Sequence, residues 1–364
     1  MRKHYSVVGP LLATVIAAFG LAACGSSKKT ESTASSAGSA STAEASSSGE
    51  ISIDVGTKTI KFPAGTKPSI AMFAGSGNSY QEAQRKTDEV IAKEKGWSFT
   101  FFDSKFEASE QLHQLQTALT NKQFNTFIFE DYAGPATCPG IKSAAGLNIV
   151  VVQVTVPTCN QAAKPAGKED WTPGTLTTVG GATTTTYYES FAAKIAEDTK
   201  GKHVVVGLVN GPPAITTSTL LKEALSKHGL APVQEVNTNY TTPDALAKTQ
   251  TMLQGQPSIN LIASIYTEST LGAIRAIESQ GKPGKIAVYD LGGSSENAKA
   301  IQQGKQTLSA PYYPKSVGEA SMQAIGKAFA NEPVERFYNG FAEGTAEKPF
   351  FLTKESLGSF KAQY

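Results

Sequence analysis

Between Ile70 and Val152 the chain repeats one unit four times. Ile70-Ala71-Met72-Phe73, Phe99-Thr100-Phe101-Phe102, Phe127-Ile128-Phe129 and Ile149-Val150-Val151-Val152 are short apolar runs separated by longer, more polar stretches. Within those stretches apolar residues recur at helical spacing, as in Ala108, Leu112, Leu115, Ala118 and Leu119. An uninterrupted apolar run of this length reads as a strand buried on both faces, with helices as the crossovers. The pattern predicts an α/β fold with a parallel sheet covered on both sides.

Outward from that block, residues 157–182 are rich in Pro, Gly and Thr and predict no helix. The rhythm then resumes. Helices are expected near Tyr187–Lys200, Thr216–Lys227, Pro243–Leu253 and Glu268–Ser279. Strands are expected at Val204–Leu208, Leu261–Ile265 and Ile286–Leu291. Pro243 behind Thr242 is a helix-start signal. The whole is too long for one comfortable sheet and divides into two α/β lobes. Upstream, Ile51–Phe62 alternates apolar and polar residues around Gly56-Thr57-Lys58, which predicts a hairpin over 51–65.

The first fifty residues carry a different message. Arg2 and Lys3 precede an apolar run from Val7 to Ala23, interrupted by Gly9 and Pro10. That is shorter than the ~20 residues a spanning helix needs, and it ends in small residues, as a secretory signal does. Leu21-Ala22-Ala23-Cys24 has the pattern of a bacterial lipobox, so residues 1–23 are expected to be removed and Cys24 lipidated. The alternative is an ordinary signal peptide followed by a chance cysteine. Residues 24–50 are almost wholly Ser, Ala, Thr, Gly, Lys and Glu, a composition that cannot offset its ordering entropy. They are expected to form a flexible tether spanning roughly 25–30 Å root-mean-square.

Loss of Arg2 and Lys3 takes the formal net charge from +2 to zero. A neutral chain lacks the basic footprint that nucleic acids and polyanions require, and any membrane attachment must be covalent. With Cys24 taken by lipid, Cys138 and Cys159 remain as one candidate disulfide outside the reducing cytoplasm, or as two unrelated thiols. No histidine stands near either, so a metal site is not expected.

Catalytic signatures are missing from the sequence. The four histidines stand apart, and no Gly-x-Ser-x-Gly, His-Glu-x-x-His or phosphate-binding Gly-Lys-Ser/Thr loop occurs. Polar and aromatic residues gather instead where strands end: Asn78 and Tyr80, then Glu130, Asp131 and Tyr132, then Gln153, Asn210, Tyr266 with Glu268, and Asp290. Open α/β sheets bind ligands at those carboxyl ends. Amides and carboxylates can take paired hydroxyls, and aromatic rings can cover the apolar face of a sugar ring. Each such residue could equally form an Asx turn or cap the next helix.

From about Ser69 to Pro333 the chain resembles the periplasmic sugar-binding proteins of the ribose/galactose type, the solute receptors of bacterial ABC importers. Ser69–Tyr80 is similar to that family's opening strand, loop, asparagine and aromatic. Leu271-Gly-Ala-Ile274 is similar to its Leu-Gly-Ala-Leu helix, and Ile286-Ala-Val-Tyr-Asp290 to its Val-Gly-Phe-Asp strand end. The resemblance gives Asn78 and Asp290 to solute hydroxyls and Tyr80 to ring stacking, and places Glu130 where many members have asparagine. It also exposes departures. The family's Asp-Arg pair is Gln153-Val154, an asparagine is Tyr266, and a hinge-side glutamine is Tyr312. Its second-lobe arginine has no counterpart among Thr216, Thr217 and Ser218. The expected site is therefore less charged and more aromatic than a ribose site.

What the resemblance implies is an α/β fold of two Rossmann-like lobes joined by a three-segment hinge. The crossings are expected near 180–184, 309–313 and 333–336. One lobe would hold residues 66–181 and 312–334, the other 184–310 and 335–364, with a strand around Phe350–Leu352. A monomeric, non-enzymatic, lipid-anchored extracytoplasmic protein would close on a small polar solute, a sugar or polyol first among them, and present it to membrane-embedded importer subunits. No cofactor is implied. A ligand-sensing lipoprotein that signals to a membrane kinase would share every one of these features, and a secreted hydrolase would need a nucleophile and base that the scattered histidines do not supply.

Overall fold

The computed structural model describes residues 49–364, apart from 76–77, 157, 159–163, 165–166, 181–182, 213–215, 341–343 and 346–347, and the side chain of Thr216. The expected lipidation site Cys24, the signal segment and nearly all of the tether lie outside the described residues.

The chain enters through the expected hairpin, β1 (Glu50–Asp54) and β2 (Thr59–Pro63), paired antiparallel with Ile53 opposite Ile60. Then the alternation begins: β3 (Ser69–Ala74), α1 (Ser79–Lys95), β4 (Ser98–Asp103), α2 (Ala108–Asn121), β5 (Thr126–Phe129), α3 (Cys138–Ala144), β6 (Val150–Val154) and β7 (Thr177–Gly180). The second series is α4 (Thr185–Asp198), β8 (Val206–Asn210), α5 (Thr216–Lys227), β9 (Gln234–Asn237), α6 (Thr242–Gly255), β10 (Leu261–Ser264), α7 (Thr267–Ser279), β11 (Ala287–Gly292), α8 (Ser295–Gln302) and β12 (Leu308–Pro311). It ends with α9 (Pro314–Phe329) and β13 (Phe337–Asn339).

Two parallel sheets result, in the orders β13-β7-β6-β5-β3-β4 and β12-β11-β10-β8-β9. The sequence runs account for them directly. In β3, Ile70 and Met72 face one apolar cluster while Ala71 and Phe73 face the other, so both sides of the strand are dry. The second sheet behaves alike, with Leu261 and Ala263 on one face and Ile262 on the other. Helices close on both faces because their apolar stripes have nowhere else to go.

The chain passes between the two sheets three times: after β7, after β12 and after β13. The third passage differs from the expectation that residues 335–364 belong wholly with the second sheet. Phe337–Asn339 runs parallel to β7 at the edge of the first sheet, with Tyr338 opposite Val179. Only afterwards does Leu352 bridge antiparallel to Ser309 on β12. An open edge on β7 accepts one more strand, and pairing satisfies backbone groups that would otherwise be left open. Strand β7 itself arises in the Pro-, Gly- and Thr-rich stretch for which no helix was expected and no strand was named. Cys138, at the start of α3, is disulfide-bonded, and Cys159 lies outside the described residues.

Candidate functional site

Strands of a parallel sheet all deliver their following loops to one edge, and both sheets direct those edges at a shared cavity of about 70 Å³. From the first sheet come Asn78, Tyr80 and Gln81 after β3, Phe106 after β4, Glu130 and Tyr132 after β5, and Thr155 after β6. From the second come Tyr240 after β9, Tyr266 after β10 and Tyr312 after β12, with Thr217 on α5. Thr183, in the first passage between the sheets, and Tyr188 on α4 complete the wall.

The rings form a continuous lining. Tyr80 meets Tyr312 edge-to-face at 6.0 Å, and Tyr312 lies 6.4 Å from Tyr266. Tyr266 meets Tyr240 at 5.4 Å, and Tyr240 reaches across to Phe106 at 5.3 Å. Phe106 in turn stands edge-on to Tyr132 at 5.0 Å. A Cβ on Gly75 would stand 2.5 Å from both Phe106 and Tyr132, so only glycine lets these rings approach the end of β3. Phe106, Thr155 and Tyr240 adopt left-handed φ of 60°, 57° and 61°. Such conformations are unfavourable for aromatic and β-branched residues and gather where packing over-determines a functional surface.

Polar groups are few and specific. Asn78 caps α1 through its side-chain oxygen, which accepts the Gln81 N–H at 3.0 Å. Its Nδ2 is buried with no partner among the described residues, as are Gln81 Oε1 and the Tyr266 hydroxyl. Tyr80 OH lies 3.2 Å from Thr155 Oγ1. Gln81 Nε2 donates to Glu130 Oε2 at 3.1 Å and to the Tyr132 hydroxyl at 2.9 Å. Burial pushes the Glu130 carboxyl up to about 7, against the opposing pull of hydrogen bonds from Tyr132, Gln81 and Thr155.

Of the residues singled out by sequence, Asn78, Tyr80, Glu130, Tyr132, Tyr266 and Tyr312 meet at this cavity. Four others are turned into the protein. Asp131 Oδ1 accepts the Gly134 N–H at 2.8 Å and the Thr137 hydroxyl at 2.9 Å, an Asx-type cap on the turn that follows β5. Gln153 Oε1 takes the hydroxyls of Thr158 and Thr172, both at 2.9 Å. Asn210 Nδ2 donates to Ser218 O and Glu235 Oε1.

Asp290 corrects the expectation of a solute-binding carboxylate most sharply. It is fully buried and does not line the cavity. Asn297 Nδ2 donates to its Oδ2 and Gln306 Nε2 to its Oδ1, both at 2.7 Å. Burial again raises this carboxyl to about 7. The Asn297 partner is itself fixed by a capping box with Ser294 at the start of α8.

Glu268 stands at the mouth, on an outer groove of about 610 Å³ shared with Asn78, Phe106 and Tyr240. The side chain of Thr216 lies outside the described residues, while its neighbour Thr217 lines the cavity. Sequence reading did not single out Gln81, Phe106, Thr155, Thr183, Tyr188, Thr217 or Tyr240. Phe106 and Tyr240 carried a usable signal, since each falls between a strand and the next helix start.

A family model described as periplasmic binding protein domain matches residues 70–333. The ribose import binding protein RbsB of Bacillus subtilis (strain 168) is 22% identical over 264 residues, covering 71% of this chain and 80% of that protein. Among solved structures, an ABC transporter periplasmic solute binding protein from Actinobacillus succinogenes 130z with bound D-allose has a TM-score of 0.67 at 20% identity. It covers 81% of this chain and all of that one. A galactofuranose binding protein gives 0.68 at 17% identity, covering 82% and 100%. Likeness at these identities shows the fold, two parallel-sheet units of the type I periplasmic binding protein kind, and the family match over most of the chain carries the assignment. This chain belongs to the periplasmic binding protein domain family.

Proposed function

We propose that this protein is an extracytoplasmic, non-enzymatic receptor that captures one small polar solute between its two sheets and presents it to an ABC importer. The observation that carries the reading is the cavity at the carboxyl ends of both sets of strands, lined from both sides and supplied with unpaired polar atoms. Buried polar groups are rarely left without partners, so orphaned atoms facing a cavity favour a ligand that completes them. Sugars and polyols are the first class to test, because the relatives named above take ribose, D-allose and galactofuranose. Three chain passages between sheets provide the hinge for closure. The Leu21-Ala22-Ala23-Cys24 pattern supports attachment by lipid at Cys24, after which residues 24–50 would serve as the tether.

A thermal-shift screen of residues 50–364 against sugars and polyols tests the reading. A solute at 100 times its dissociation constant should stabilise the fold by about 2.7 kcal/mol. Silence across the panel, including amino derivatives, would count against solute capture. For the anchor, Cys24→Ser should move the full-length protein from the membrane fraction into the soluble fraction, and retention on membranes after a salt wash would refute lipidation at Cys24.

A further inference from the structure

Once Asp131, Gln153, Asn210 and Asp290 are committed to protein hydrogen bonds, the chemistry left facing the cavity is narrow. Aromatic rings dominate it, beside one carboxylate, the amides of Asn78 and Gln81 and the hydroxyls of Thr155, Thr183 and Thr217. Among the described lining residues seven are tyrosine or phenylalanine, Glu130 is the one carboxylate, and none is lysine, arginine or histidine. A neutral polyol is usually gripped by several amides and carboxylates in pairs, and an anion requires cations or clustered N–H donors. Among the described lining residues there is no cation, and the two amides are partly committed, Asn78 Oδ1 to the Gln81 N–H and Gln81 Nε2 to Glu130 and Tyr132. Aromatic faces carry negative quadrupole potential and attract a cation seated within about 6 Å. The Glu130 carboxyl, raised to about 7 by burial, would be drawn to its charged form by a cation placed beside it, and so add to that potential.

The space has two compartments. The inner cavity, at about 70 Å³, is the smaller of the two and is suited to a compact head group. The outer groove of about 610 Å³ lies beyond the Phe106–Tyr240 contact and shares Asn78 with the inner cavity. Its charged residues are Lys105, Glu107 and Glu268, an excess of acid.

We infer that the site selects a small hydroxylated ammonium compound, an amino sugar or amino alcohol, whose cationic nitrogen sits against Glu130 and the tyrosine faces while its hydroxyls extend past Asn78 into the outer groove. This rests on the reading that the cavity is the solute site. Entry requires Phe106 and Tyr240, which belong to different sheets, to part and re-close behind the head group.

Matched pairs of probes test it by calorimetry on residues 50–364: D-glucosamine against D-glucose, choline against its uncharged isostere 3,3-dimethylbutan-1-ol, and ethanolamine against ethylene glycol. The cationic member of at least one pair should bind about ten- to a hundredfold tighter than its partner, the scale of a desolvated charge-assisted contact. Glu130→Gln should abolish that preference, lowering the cationic member's affinity more than the neutral member's. Should that variant fail to fold, Tyr240→Leu keeps an apolar wall without the π face, and it should weaken the cation more than the neutral partner. Neutral members that bind as well as or better than their cationic counterparts would overturn this inference and leave solute capture standing. No binding by any probe or any sugar would overturn both.

Discussion

Ser79, in the first turn of α1, donates a 2.6 Å hydrogen bond to Oε1 of Glu268, in the first turn of α7. Helices belonging to different sheets are thereby tied across the mouth of the cavity. The other Glu268 oxygen is buried without a partner among the described residues, and burial raises this carboxyl above its ordinary range. The contact is the kind that forms on closure and breaks on opening. Ser79→Ala should therefore favour the open form. A net hydrogen-bond contribution of about 0.5–1.5 kcal/mol corresponds to roughly a two- to tenfold loss of solute affinity. Small-angle scattering of the ligand-free variant should show a larger radius of gyration than the wild type. An unchanged radius together with unchanged affinity would mean that the bond does not govern closure.

Asp290→Ala should act on stability. Its two oxygens are the acceptors of Asn297 Nδ2 and Gln306 Nε2, and its removal strands both donors in a region sealed from water. Each orphaned donor costs about 1–3 kcal/mol, so the melting temperature of the ligand-free protein should fall by several degrees. Solute affinity, corrected for the folded fraction, should stay within a few-fold. A large loss of affinity with an intact melting temperature would return Asp290 to the solute site.

The contrast at Asp290 marks how far the sequence could be read. Runs such as Ile70–Phe73 and Val150–Val152 announced their strands because a strand covered on both faces has no polar position to disguise it. Strand β7 was hidden because Thr177 and Thr178 are fully buried despite their hydroxyls, and β13 because its place depends on an edge set by residues about 160 positions earlier. At the site, aromatics following strands were legible: Tyr80, Tyr266 and Tyr312 all line the cavity. The direction of the polar side chains was not. Whether Asp290 faces the cleft or the sheet edge depends on Gln306 and Asn297, which only the folded α8–β12 connection brings to it. Asp131 and Asn210 were likewise decided by local turn and helix-start hydrogen bonds, which compete with any ligand for the same atoms.

The buried carboxyls predict an inverted pH dependence for the empty protein. Glu130, Asp170 and Asp290 are each raised by burial to about 7, from ordinary values of 4.5, 3.8 and 3.8. Between roughly pH 4 and 7 the folded protein holds these protons more tightly than the unfolded chain does. Stability is then greatest at the acidic end of that window and falls as pH rises through 7. Melting temperatures of ligand-free protein should accordingly decline by several degrees from pH 5 to pH 8. A flat or rising profile across the same interval would show that these carboxyls are already ionised in the folded state.

Tyr266→Phe separates a structural ring from a binding hydroxyl. The ring is part of the wall, packed 5.4 Å from Tyr240 and 6.4 Å from Tyr312, and phenylalanine preserves that packing. The hydroxyl is buried with no partner among the described residues, so in the empty protein it is an unpaired polar atom held away from water. Deleting such an atom relieves a desolvation penalty of about 1–3 kcal/mol. The ligand-free variant should therefore melt at the same temperature as the wild type or a few degrees higher. Bound solute reverses the sign. If the hydroxyl completes its hydrogen bond only with the ligand, phenylalanine leaves a ligand group unpaired in a closed site, and affinity should fall by roughly five- to fiftyfold. The two measurements move in opposite directions only when the hydroxyl serves the solute. A lowered melting temperature with unchanged affinity would assign the group to the fold and remove Tyr266 OH from the recognition surface.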